Sequence, residues 1–356
     1  MSMEIKIVKN ASPKEKPNSS NLGFGQYFTD HMFIMDYTKG KGWHDPRIVP
    51  YGPLSFDPSC MVFHYGQAIF EGLKAYKTEA GNVLLFRPER NMERVNISNE
   101  RLCIPPIDVD FAVEAAKALI KIDKDWIPSE KDTSLYIRPF IIATDPFLGV
   151  RPSNTYMFMI ILSPSGCYYK EGINPVNIYI ENNYVRAVKG GIGFAKTPGN
   201  YASSLKSQME AKEKGFTQVL WLDGVERKYI EEVGTMNVFF VIGREVITPE
   251  LNGSILAGIT RDSTIELLKY KGYKVTERKI SIQEIFEAHA AGKLNEAFGT
   301  GTAAVISPIG QLTWDDKTIT VNNNEIGPIS KIIYDTITGI QSGILKDEFN
   351  WTAEVR

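Results

Sequence analysis

Lys189-Gly-Gly-Ile-Gly-Phe-Ala-Lys196-Thr-Pro-Gly-Asn-Tyr201, read with Glu231-Glu-Val-Gly-Thr-Met-Asn237 further along, decides how the chain is organised. The first stretch sets a lysine among glycines, where bulky neighbours are absent and backbone can approach a ligand closely. The second sets adjacent carboxylates ahead of a strongly apolar segment. A lysine, a tyrosine five residues later and a carboxylate are the groups needed by an aldehyde cofactor with a phenolic oxygen and a ring nitrogen.

Lys196 is flanked by apolar Phe194-Ala195, which favours desolvation and so a nucleophilic amine able to form a Schiff base. The bland reading is a solvated lysine at the tip of a glycine-rich turn. A sharper rival is the phosphate loop G-x-x-x-x-G-K-[ST], which residues 190–197 nearly satisfy, with Val219-Leu-Trp-Leu-Asp223 as the strand and aspartate that hold magnesium. Ala195 stands where that motif needs glycine, and Pro198-Gly199 falls where its helix should run. No clear strand precedes Gly190.

Adjacent glutamates are often no more than a solvated turn. A pyridine nitrogen needs a carboxylate to stay protonated, and Glu232 is chosen because neighbours in an extended segment face opposite ways. A cofactor phosphate needs donors as well. Leu256-Ala-Gly-Ile-Thr-Arg261 runs into a helix, placing the amides of Ile259 and Thr260 at its positive end. Phe298-Gly-Thr-Gly-Thr-Ala303 offers amides and hydroxyls in a glycine-permitted turn, and Arg94 adds charge.

The bulk properties agree with an ordinary globular protein. A chain of 356 residues has room for two packed domains. A net charge of −2 gives no reason to expect nucleic acid or an anionic membrane as partner. The three cysteines show no C-x-x-C and the four histidines no ligand spacing, so neither a disulfide framework nor a metal site is expected. The apolar run Tyr156–Leu162 is too short to span a bilayer, and a cytoplasmic location is expected.

Along the chain, residues 1–20 are polar and proline-containing, expected to be flexible or laid on the surface. Strands are expected at Asp30–Tyr37, Met61–Tyr65, Val83–Pro88, Leu135–Ala143 and Tyr156–Leu162. Helices are expected at Pro88–Ser98, bringing Arg87, Arg90 and Arg94 together, and at Asp110–Lys121 with Asp110 as N-cap. The division reads as a domain over 21–170, a linker at 171–176 and a second domain over 177–356. Beyond the linker come strands Asn177–Glu181, Gln218–Leu222 and Val238–Ile242, with helices Ala202–Lys214 and Thr260–Lys271. The capping box Ser281-Ile-Gln-Glu284 opens a helix that Gly292 ends. The irregular alternation predicts a mixed α/β (α+β) chain of two domains.

Glu232-x-Gly-x-x-Asn237-Val-Phe239, then Val246-x-Thr248 and Leu256-x-Gly258-Ile-x-Arg261, resembles the class IV aminotransferase signature through its whole length. Phe28-Thr-Asp-His-Met32, Phe70-Glu-Gly-Leu-Lys74, Arg87-Pro88 with Asn91-Met92, Ser134-Leu-Tyr-Ile-Arg-Pro139, Gly190-Gly-Ile-Gly193 and Gly199-Asn-Tyr201 look like the branched-chain amino acid aminotransferases. The resemblance extends over nearly everything from Phe24 onward.

The resemblance implies fold-type IV of the pyridoxal 5'-phosphate (PLP) enzymes, with a smaller N-terminal α/β domain and a larger, barrel-like C-terminal one. It implies that Lys196 holds PLP covalently and then acts as general acid and base. Tyr201 would bond the ring hydroxyl oxygen and Glu232 the pyridine nitrogen, while Arg94, Ile259, Thr260 and Thr302 would bind phosphate. The substrate pocket maps onto Phe24, Tyr65, Phe70, Tyr136, Arg138, Tyr168, Thr235 and Ala303. An aromatic wall suits leucine, isoleucine and valine, and Arg138 at its edge suits the glutamate side-chain carboxylate. Val150 resembles a loop that the family inserts into a neighbouring subunit's pocket, implying a homodimer. Animal members can carry a redox C-x-x-C after the Gly-Thr-Gly-Thr turn; Ala304 and Ser307 stand at those positions here. Within the same fold the alternatives are a D-amino acid aminotransferase or an aminodeoxychorismate lyase, and outside it the nucleotide hydrolase. Tyr136-x-Arg138 and the long N-terminal segment favour the branched-chain reading.

Overall fold

A computed structural model describes residues 3–166 and 173–356. They form two compact units. One holds residues up to 166 together with 195–198 and 339–356, and the other holds 173–194 and 199–338. The contiguous division expected from the sequence differs from this grouping in those two returning segments, and the first residues of its linker lie outside the described residues.

The first unit is built on a nine-stranded sheet in the order Lys6–Ile7, Gly42–Pro50, His31–Thr38, Thr155–Ser165, Ser134–Ala143, Leu73–Lys77, Val83–Phe86, Thr352–Glu354, with Ala68–Phe70 also paired to Ser134–Ala143. Pairing is antiparallel except at Lys6–Ile7, which runs parallel to Arg47 and Ile48. Alternate side chains of His31–Thr38 enter different clusters. Phe33 and Met35 join Phe158, Ile160, Leu119 and Ile120, whereas Met32 and Ile34 pack with Met159. A strand buried on both faces reads as an unbroken apolar run, and this one does.

Three expectations need correction in this unit. Met61–Tyr65 is a short α-helix, not a strand. Asp57 turns the chain by accepting from the Ser59 amide and hydroxyl, and Gly66 stops the helix in the left-handed region at φ 58°. The expected helix at Asp110 spans Val109–Ile122 and is capped by Asp108, whose carboxylate accepts from the Phe111 amide. The helix Pro88–Arg101 does not gather its arginines. Arg87 precedes it in the left-handed region with its guanidinium over Trp351, Arg90 is exposed and paired with Glu93, and Arg94 alone is buried. Residues 3–14 are laid on the unit, one of the two outcomes expected of them: the Asn10 amide donates to His31 Nε2 and the Lys14 amide to Asp30.

The second unit contains a closed barrel. Its strands run Ile230–Val233, Gln218–Leu222, Val176–Ile180, Val305–Trp314, Leu294–Gly301 and Met236–Ile242, which pairs back with Ile230–Val233. Ile178, Ile180, Leu220, Leu222, Val238, Phe240, Ile309 and Leu312 form a common apolar core. Closure leaves those strands without open edges, which removes a route to aggregation. The expected helix Ala202–Lys214 is two pieces, Pro198–Ala202 and Leu205–Glu213. Helix Ile259–Tyr270 and the Ser281-capped helix Ile282–Ala290 lie where the sequence puts them.

Candidate active site

In the first unit the short segment 195–198 is bonded on both sides. The Lys196 amide donates to Ser98 Oγ at 2.9 Å, its carbonyl accepts from the Phe70 amide at 3.0 Å, and Thr197 Oγ1 donates to the Ala68 carbonyl at 2.8 Å. With its backbone fixed to helix Pro88–Arg101 and strand Ala68–Phe70, half-buried Lys196 places Nζ 5.0 Å from the Phe70 ring centroid. On the same ring sits Arg138, its guanidinium carbon 4.8 Å from the centroid. Arg138 also donates from Nη2 to the Tyr136 hydroxyl at 3.0 Å, and Phe24 meets Tyr136 edge-on at 4.8 Å. Phe24, Tyr136, Arg138, Phe70 and Lys196 therefore form one chain of contacts, joining aromatic faces to two cations.

Next to it lies a residue that the sequence reading leaves without a role. Glu71 is fully buried and accepts from Arg94 Nε at 2.7 Å and Nη2 at 2.9 Å, and from Asn91 Nδ2 at 2.8 Å. Burial opposes its charge most strongly. The Arg94 guanidinium, with Lys196 and the Asn91 amide, outweighs that cost and holds the carboxyl below the usual range. The signal was an acid inside the apolar run Ala68-Ile-Phe-Glu-Gly-Leu73, since a buried acid needs a partner.

The Tyr65 hydroxyl donates to the Leu148 carbonyl, in the loop that also carries Val150, which is 86% exposed. Tyr168 lies outside the described residues.

In the second unit the acids depart from the alternation expected of a strand. Leu222 pairs with Ile230 and Trp221 with Glu232, so Glu231 is the extra residue of a β-bulge. The bulge sends both carboxylates to one loop. Glu231 Oε1 accepts from Ser254 Oγ and from Asn252 Nδ2, and Glu232 Oε1 accepts from the Leu256 amide at 2.8 Å. Both acids are buried. Arg186, another buried charge the sequence reading passed over, lies 3.1 Å from Glu232 Oε1 through Nη2 and donates to the carbonyls of Ser254 and Gly193. Its signal was a lone cation within Tyr184-Val-Arg-Ala-Val188.

The loop that Glu232 holds leads into helix Ile259–Tyr270, which begins at Gly258 with no side-chain cap. Its first amides, those of Ile259 and Thr260, meet no side-chain acceptor from the cap residue. Thr235 is exposed in the turn between Ile230–Val233 and Met236–Ile242. Thr302 and Ala303 follow strand Leu294–Gly301, and Tyr201 lies on helix Pro198–Ala202.

The donor set fits a pyridoxal phosphate. The first unit carries a half-buried amine and a buried guanidinium. The second carries a buried, hydrogen-bonded carboxylate and a helix start without a side-chain cap, the kinds of donor such a group takes. The nucleotide-hydrolase reading loses its acid: Asp223 accepts from the amides of Val225, Glu226, Lys228 and Tyr229, closing its own turn. No group of histidines, cysteines or acids able to hold a metal occurs among the described residues. None of their helices is long and apolar enough to cross a membrane.

Residues 68–312 match the family described as amino-transferase class IV. The chain is 64% identical over 351 residues to branched-chain-amino-acid aminotransferase 2 of Bacillus subtilis strain 168, covering 99% of this chain and 97% of the relative. It is 58% identical to branched-chain-amino-acid transaminase 1 of the same organism, with both chains covered in full. Among solved structures it resembles the Escherichia coli branched-chain amino acid aminotransferase with a TM-score of 0.77 at 28% identity, covering 91% of this chain and 99% of that one. The branched-chain amino acid aminotransferase of Thermoproteus uzoniensis, solved with norvaline, gives 0.76 at 25% identity, covering 92% and 100%. With residues 68–312 matching the family and relatives of 64% and 58% identity over nearly the whole chain, the chain belongs to the class IV aminotransferases.

Proposed function

We infer that the chain is a PLP-dependent branched-chain amino acid aminotransferase. It moves the amino group of L-leucine, L-isoleucine or L-valine to 2-oxoglutarate, giving the branched 2-oxo acid and L-glutamate. The observation that carries this reading is the 64% identity, over 99% of this chain, to a relative named for that activity. The D-amino acid aminotransferase and aminodeoxychorismate lyase alternatives are not favoured.

When bound, PLP supplies an electron sink for the carbon that bears the substrate's amino group. Lys196 is assigned the covalent attachment through Nζ. Once freed, Nζ would act as the general acid and base that moves the proton at the substrate α-carbon. Glu232 is assigned to the ring nitrogen, Tyr201 to the ring oxygen, and Arg94, Ile259, Thr260 and Thr302 to the phosphate, with Thr235 beside them. The Leu256 amide and Arg186 at Glu232 support its assignment, because the two donors orient its oxygens.

Phe24, Tyr65, Phe70, Tyr136, Tyr168 and Ala303 are assigned to the wall around the aliphatic side chain. Arg138 is assigned to the glutamate carboxylate. Its seat on Phe70 and Tyr136 supports this, since a guanidinium is a planar fork that stacks on aromatic faces and matches a carboxylate. We assign Val150 to a neighbouring subunit's pocket in a cytoplasmic homodimer, a reading supported by its exposure beside Phe147 and Leu148.

The test is an amino-transfer assay of the PLP-loaded chain with L-leucine, L-isoleucine, L-valine, L-glutamate and D-alanine, each against a 2-oxo acid. Transfer from the three branched L-amino acids and glutamate, with D-alanine inert, is the expected result. Preference for D-alanine would overturn the assignment.

A further inference from the structure

Glu232 and Asn237 lie directly opposite each other where strand Ile230–Val233 pairs with Met236–Ile242, so their side chains leave the same face of the hairpin. Both turn to a single residue. Glu232 Oε1 accepts from the Leu256 amide at 2.8 Å, and Asn237 Nδ2 donates to the Leu256 carbonyl at 2.9 Å. Leu256 is thus held through its own N–H and its own C=O. Gly258, the last residue before helix Ile259–Tyr270, packs so closely on Asn237 that a Cβ there would overlap Asn237 Oδ1. One asparagine therefore grips the loop through its amide nitrogen and supports the helix start through its amide oxygen.

We propose that Asn237 is a positioning residue that fixes the separation between the Glu232 carboxylate and the first amides of helix Ile259–Tyr270. The proposal rests on the reading that Glu232 meets the cofactor's ring nitrogen and those amides its phosphate. A ligand that joins two groups by a rigid linker gains from binding both only when the two subsites are held at the matching distance. Without the Asn237 clasp each subsite keeps its own groups: Glu232 is still held by the Leu256 amide and Arg186, and the helix keeps its amides. What is lost is their spacing, and with it the gain from joining ring and phosphate in one molecule.

The test compares the affinities of the full-length chain for PLP and for pyridoxal, by absorbance titration. Both carry the same aldehyde, so attachment to a lysine contributes equally and the ratio isolates the phosphate. Asn237→Ala is expected to weaken PLP binding about tenfold, the worth of one part-buried hydrogen bond, while changing pyridoxal binding less than about twofold. Gly258→Ala, which pushes on Asn237 from the other side, is expected to give the same signature and stands in if the first variant does not fold. A general loss of structure would weaken both ligands alike. A PLP-to-pyridoxal ratio unchanged from the unsubstituted chain in these variants overturns the proposal. Equal affinity of the unsubstituted chain for the two ligands overturns the phosphate assignment beneath it, and the proposal with it.

Discussion

Glu71 keeps a negative charge where water does not reach, between Arg94 and the Asn91 amide and within the field of Lys196. Its native carboxyl titrates below the ordinary value of 4.5, so acidification protonates the unfolded chain before the folded one. The stability it contributes is complete above that value and is lost as pH falls through the lowered native one. Glu71→Gln is therefore expected to lower the urea midpoint at neutral pH, by a gap that narrows as the pH is taken well below 4.5. A gap that stays constant across the series would contradict the assignment. Arg138→Ala is expected to slow the glutamate/2-oxoglutarate half-reaction more than the leucine one, as single-turnover measurements would report. Equal losses in both would count against Arg138 as the group that meets the second carboxylate. Lys196 and Glu232 could be singled out from the sequence because a lysine among glycines and an acid before an apolar strand are local oddities. Glu71 and Arg186 escaped that reading because their partners, Arg94 and Glu232, are distant in sequence, and a buried ion pair has no local spacing.

Helix ends show where local chemistry was readable and where it was not. Ser281 caps Ile282–Ala290 by accepting from the Glu284 amide, as its capping-box spacing predicts. At Val109–Ile122 two aspartates compete for the same role, and Asp108 takes it because its backbone is extended at φ −70°, ψ 120° while Asp110 is already helical. Asp108→Ala is expected to cost about 1 kcal/mol and Asp110→Ala little, in matched urea unfolding curves. The start of helix Pro328–Gln341 is capped from afar. Glu296, on strand Leu294–Gly301, accepts from the Ile329 amide at 2.8 Å and from the Ser330 amide and hydroxyl at 2.9 and 2.8 Å. A buried carboxylate bonded to the positive end of a helix is worth about 2 kcal/mol, so Glu296→Ala should lower stability by that order. No loss on that substitution would show the cap to be redundant. The helix at Met61–Tyr65 was misread as a strand because five aromatic and aliphatic residues have no period to read, and a turn at one end with a left-handed glycine at the other decided it. The bulge at Glu231 was equally silent, since one extra residue in a strand leaves no mark in composition.

Across the chain, both units were foreseeable as mixtures of strand and helix, yet their exact membership was not. Segments 195–198 and 339–356 join the first unit although their neighbours belong to the second, a return that composition does not announce. Exposure of Val150, Leu148 and Phe147 bears on assembly, and sedimentation is expected to give a dimer that Val150→Asp weakens. A monomer for the unsubstituted chain would remove Val150 from any pocket. The most direct measurement concerns every lysine at once. Borohydride reduction of the PLP-loaded protein, followed by digestion and mass mapping, should fix the phosphopyridoxyl group on the peptide bearing Lys196 and on no other. Its appearance on a different lysine, or on none, would contradict the assignment of Lys196 as the residue that carries the chemistry.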